Sequence, residues 1–169
     1  MNGAQVHLAL NHLPIFATFF GFLFLLIALM RKNRELKRAG LWLCLAAALG
    51  AVPTYLSGEP AEEVVQGLAG VEVAAIEEHE EMALVALVAT EILGAASLAG
   101  LYLSRKTGEP PERLVQACLI LSLVALAMVG WTARLGGEIH HPETRPGYTS
   151  GERPVVRQRL TNNMSAVSA

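Results

Sequence analysis

Long apolar runs broken by short polar segments dominate this chain. Four stretches, near 12–30, 39–57, 82–104 and 114–135, are rich in Leu, Ala, Val and Phe and are bounded by charge or by Gly and Pro. Each reaches roughly the 20 residues that a helix rising 1.5 Å per residue needs to cross a bilayer. In hydrocarbon the backbone must satisfy its own hydrogen bonds, so helix is the state such runs adopt. Short connections make successive helices antiparallel. The pattern therefore predicts an all-α, multi-pass, up-down four-helix bundle over 1–141 with the lipid bilayer as its surroundings. The polar remainder, 142–169, reads as an extracytoplasmic tail or a strap for a partner.

Composition agrees: 53% of the residues are hydrophobic and 17% charged, and the mean hydropathy is +0.41. Thirteen Lys and Arg stand against fifteen Glu, for a net charge of −2, which excludes a basic nucleic-acid binder. The charge is also sorted along the chain. Arg31, Lys32, Arg34, Lys37 and Arg38 fill the first connection, and Arg105, Lys106 and Arg113 the third. The 58–81 segment carries Glu59, Glu62, Glu63, Glu72, Glu77, Glu78, Glu80 and Glu81 without a Lys or Arg. The positive-inside rule then places both basic connections in the cytoplasm, and the acidic segment and both termini outside. No basic residue precedes Arg31, so the first run lacks the n-region of a cleavable signal and is kept as a span.

The chemistry-bearing residues gather at that outer side. His7 and His12 lie before or at the opening of the first span, His79 just before the third, and His140 and His141 after the fourth. The two halves read as copies of one hairpin, with Asn11-His12 matching Glu78-His79, and Ser57-Gly58-Glu59 matching Gly136-Gly137-Glu138. At 100° per residue His79 shares a stripe with Ala75, Met82, Ala83 and Ala86, and His12 lines up with Ile15, Phe16, Phe19 and Phe22. Both sets are expected to face inward. Asn11 is expected to cap the first helix, with Pro14 in its first turn. Spans 1 and 3 are diagonal in an up-down bundle, so His12 and His79 are expected to reach a b-type haem iron from opposite sides, with Arg134 pairing a propionate.

His7, about 140° around from His12, is a supporting group or an interfacial residue, and His141 an alternate ligand. Glu59 and Glu138 with His12 and His79 form the alternative, a non-haem iron, manganese or zinc site, although the Glu-x-x-His pair of carboxylate-bridged centres is missing. Interfacial histidines are also commonly just hydrated. Gly58 and Gly137 read as helix C-caps, Glu91 as an intramembrane carboxyl that either carries protons or bonds a neighbouring helix, and Cys44 and Cys118 as small packing residues.

The run His7-Leu-Ala-Leu-Asn-His12-Leu-Pro14-Ile15, with Ser57-Gly58, His79 and Gly136-Gly137-Glu-Ile-His140-His141, resembles the DUF2231-type family of small four-helix bacterial membrane proteins, a domain of unknown function. The resemblance covers roughly 1–142. It implies a fold like b-type cytochrome membrane modules and redox work at the bacterial inner membrane. Glu138-Ile139-His140 replaces the aromatic stretch usual in that family. The expectation is an electron-transfer subunit rather than a stand-alone enzyme, exchanging electrons with a quinone or a cytochrome in a respiratory or photosynthetic membrane complex or a homo-oligomer. A non-catalytic small subunit or assembly factor is the other reading. No nucleophile–base pair or phosphate loop supports hydrolysis.

Overall fold

The computed structural model describes residues 2–66, 68 and 71–144; the expected tail beyond 144 lies outside the described residues. Among them are six α-helices: α1 (Gly3–Leu10), α2 (His12–Arg31), α3 (Arg34–Leu56), α4 (Gly58–Val65), α5 (Val73–Thr107) and α6 (Glu112–His140), followed by a 3-10 turn at Pro142–Thr144. They form four helical paths long and apolar enough to cross a membrane, Gly3–Arg31, Arg34–Val65, Val73–Thr107 and Glu112–His140. Every expected span lies inside one of these paths. The helices also continue past the apolar limits wherever no αL residue stops them. The αL terminators are Lys32 (φ 49°) after α2 and Gly108 (φ 78°) after α5. Gly58 and Gly137 are not C-caps: Gly58 opens α4, and α6 runs through Gly137 to His140.

The first helix also starts earlier than expected. Asn2, not Asn11, is the cap: its side chain accepts from the Gln5 backbone, and the Gln5 side chain returns the bond to the Asn2 backbone. Asn11 is right-handed helical and caps nothing with its side chain, so α1 and α2 follow each other with only a local break. Pro14 explains that break. A proline lacks the amide that would bond the carbonyl one turn back, at Leu10. The Thr54 hydroxyl of α3 donates to that carbonyl at 3.2 Å, sharing its proton with Gly50 O at 2.8 Å.

Helix α2 packs on α3 and α6, and α5 packs on the same two, so α2 and α5 are diagonal as the up-down order predicts. The interfaces rest on small residues. A Cβ on Gly21 would stand 2.7 Å from Cys44 Sγ, one on Gly40 2.7 Å from Leu25 Cδ2, and one on Gly94 2.3 Å from Ala48 Cβ. Lipid tails are as apolar as the core, so membrane helices associate by close packing and turn their bulk outward. Leu25, Leu41, Leu93, Leu101 and Val115 fill the centre with Cys44, Cys118 and Ala125. The expected inward set on α2 is corrected for the same reason. Phe16, Phe19 and Phe20 are exposed, while Pro14, Ala17, Thr18, Gly21, Leu25 and Ala28 face the bundle.

One end of the bundle is basic and is tied together by a nearly buried cation. Lys37 is 3% exposed and donates to Glu109 Oε1 at 2.6 Å, with Glu112 Oε2 at 3.7 Å, while Arg38 donates to Gly108 O. These contacts hold the α5–α6 connection against the start of α3. The Lys37 ammonium, by its hydrogen bond and its charge, holds the Glu109 carboxyl below the usual glutamate range. A lowered carboxyl contributes stability above the ordinary glutamate value of about 4.3 and loses it as the pH falls through the lowered one. Melting in detergent should therefore show an acid-side loss of stability that Glu109→Gln removes, at the cost of a lower melting temperature at neutral pH.

Candidate functional site

The opposite end holds the histidines. Helix α1 lies along α4 so closely that a Cβ on Gly3 would meet Pro60 O at 2.1 Å. Val65, Ile76 and Ile139, joined by Val71 and Ala75, make a small apolar cluster over this end of the bundle. Between these elements His7 of α1 and His79 of α5 meet edge to face, with ring centroids 6.4 Å apart and planes at 83°. Both are half-buried.

Each ring is fixed through Nδ1. His7 Nδ1 lies 3.2 Å from Thr54 O and 2.9 Å from Ser57 Oγ, and the Ser57 hydroxyl itself donates to Thr54 O at 2.7 Å. His79 Nδ1 lies 3.0 Å from Thr132 O. A carbonyl oxygen only accepts, so the nitrogen facing it carries the proton, and in the neutral ring Nε2 keeps its lone pair. Among the described residues neither Nε2 has a hydrogen-bond partner. Gly136 makes the approach of His79 to α6 feasible: a Cβ there would stand 3.0 Å from the ring's Cε1.

The two halves repeat this arrangement. The histidine of the first helix in each half donates to a threonine carbonyl of the second, His7 to Thr54 and His79 to Thr132. Each also precedes a fully buried threonine by the same interval, 7 to 18 and 79 to 90, and both threonines donate to the carbonyl one turn back at 2.7 Å. The counterpart of His79 is thus His7, not His12.

His12 is exposed, its Nδ1 donating to Leu8 O at 2.9 Å and its ring stacked on Phe16 at 6.3 Å. It shares the outward face of the phenylalanines, which overturns its inward placement. Asn11 follows His7 by one turn and so shares its face. Its Oδ1 is buried without a hydrogen-bond partner among the described residues.

The other expected residues make contacts of their own. Arg134 bonds Glu138 at 2.9 Å and lies over the Trp131 ring at 5.2 Å, half-exposed. Glu59 is exposed on α4. His141 is exposed and pairs with Glu143 at 3.0 Å; the Glu143 carboxyl is held low by its own backbone amide and then by His141. Glu59, Glu138, His12 and His79 are not gathered, and no three His, Cys, Asp or Glu side chains form a metal-ion group among the described residues. Sequence reasoning missed Thr54 and Thr132, and it placed Ser57 and Gly136 in the repeat and the family motif and Asn11 at a helix cap, without the places they take beside the histidines.

Were a metal group held here, two imidazoles would suffice for a haem and fall short of what a bare ion requires. A tetrahedral or octahedral non-haem ion needs three or more protein ligands, whereas haem iron is held by only one or two protein side chains. Ligating histidines typically donate their other ring N–H to a carbonyl or carboxylate, as His7 and His79 do to carbonyls.

These features define a four-helix membrane protein whose one end couples two imidazoles across diagonal helices. Residues 3–142 match DUF2231, described as a predicted membrane protein, and the chain belongs to that family. No curated protein and no solved structure matches the chain.

Proposed function

We propose that this chain is a membrane electron carrier that binds a b-type haem through His7 and His79 at the acidic end of its bundle. One observation carries the reading: imidazoles from diagonal helices, each anchored at Nδ1 and each with an unpartnered Nε2, stand 6.4 Å apart. Haem, when bound, supplies a one-electron redox couple. The protein's part is to hold and shield it. Thr54, Ser57 and Thr132 lock both rings in the Nδ1–H form, so that the lone pairs of Nε2 serve as ligands. Asn11 Oδ1 offers an acceptor to a donor or water at the same face, and the apolar cluster around Ile76 and Ile139 limits entry of solvent.

The distribution of Lys and Arg supports a bacterial inner-membrane orientation with the basic end in the cytoplasm and the histidine end outside. Partners are then a quinol or a cytochrome of a larger respiratory or photosynthetic complex. The visible spectrum of protein purified from haem-supplied cells tests this. Sharp reduced bands, with haem in proportion to protein, are expected. Colourless protein would reject the reading and favour a non-catalytic subunit or assembly factor.

A further inference from the structure

In α5 a carboxyl group faces the lipid. Glu91 is exposed, and it lies about 18 Å beyond His79 and about 21 Å before Arg105 along the helix, near mid-membrane. Its neighbours on that face are Leu84, Val88 and Leu98, with Ala95 and Ala99 one and two turns on. Among the described residues Glu91 has no hydrogen bond or ion pair. An ionisable group at this depth is costly unless another polar group meets it.

We propose that α5 is the contact helix of a parallel two-fold dimer in which the Glu91 carboxyl of one copy donates a hydrogen bond to that of the other. A second copy is the occupant that the chain itself specifies. A two-fold axis along the membrane normal brings each residue to its own depth on the partner, so Glu91 meets Glu91. Near that depth the outward residues include Phe19, Phe20, Leu49, Leu123 and Val124, none of which could bond it otherwise. Two carboxylates would repel, whereas a carboxyl set against a carboxylate supplies one donor and one acceptor. Ala95 and Ala99 leave room for the backbones to approach at the same stripe, as small residues do in membrane helix pairs. The contact is independent of the histidine end.

Energy transfer between donor- and acceptor-labelled copies in phosphatidylcholine vesicles measures the association. Glu91→Leu should weaken it about ten-fold, and Glu91→Gln, whose amide both donates and accepts, should retain most of it. Oxidative cross-linking should join Ala95→Cys copies and fail for Leu123→Cys on the exposed face of α6. A monomeric wild-type chain, a Glu91→Leu variant that associates like wild type, or cross-linking through Leu123→Cys in preference to Ala95→Cys would overturn the dimer.

Discussion

On the proposed haem reading, His7→Ala and His79→Ala are each expected to abolish haem retention, while His12→Ala is expected to leave the visible bands at wild-type strength. The first two would remove a proposed ligand, which should lower haem content by at least about ten-fold, since even loss of a group supporting a ligand costs about 10–100-fold in metal affinity. The third removes an exposed ring stacked on Phe16 that has no part in the pair. Haem content per purified chain, with circular dichroism to confirm that each variant remains helical, is the measurement. Equal loss in His12→Ala, or bands unchanged in His7→Ala, would contradict the assignment of the ligands.

The second large effect is on the fold. Gly94→Val places a branched side chain where even a Cβ would stand 2.3 Å from Ala48 Cβ. The obstacle is the first atom of a helical side chain and cannot swing aside, so α3 and α5 must separate. Overpacking typically costs about 1–3 kcal/mol, and the loss here should reach or exceed the upper end. Gly130→Val, which adds its Cβ with nothing within 4 Å, is the control and should melt like wild type. Thermal unfolding in detergent, followed by monodispersity on a sizing column, separates the two. A Gly94→Val protein as stable as the control would mean that the α3–α5 interface is not packed as described.

The architecture was readable because apolar length and charge sorting are properties of the sequence alone. Four spans, their antiparallel order and the diagonal relation of the first and third all follow from them. The face of α2 was misread because phenylalanines look like core residues to a reader trained on water-soluble proteins. In a bilayer Phe16, Phe19 and Phe20 are at ease in lipid, and Gly21 with Ala17 and Ala28 forms the packed side. That reversal carried His12 outward with the phenylalanines and brought His7, on the opposite side, inward. The repeat offered a signal that could have corrected it: His7 precedes Thr18 by the interval at which His79 precedes Thr90. The anchors Thr54, Ser57 and Thr132 were not legible, because they act through a carbonyl or a hydroxyl brought near only by packing. The Leu10 carbonyl freed by Pro14 is the exception, since any helical proline leaves such an acceptor.

The central claim, that imidazoles of His7 and His79 bind one iron, is tested most directly by electron paramagnetic resonance of the ferric protein. The account predicts a low-spin ferric signal of two-imidazole ligation, lost in His7→Gly and restored when free imidazole fills the vacated position. A high-spin signal in the wild-type protein, or a low-spin signal that survives both His7→Gly and His79→Gly, would contradict it.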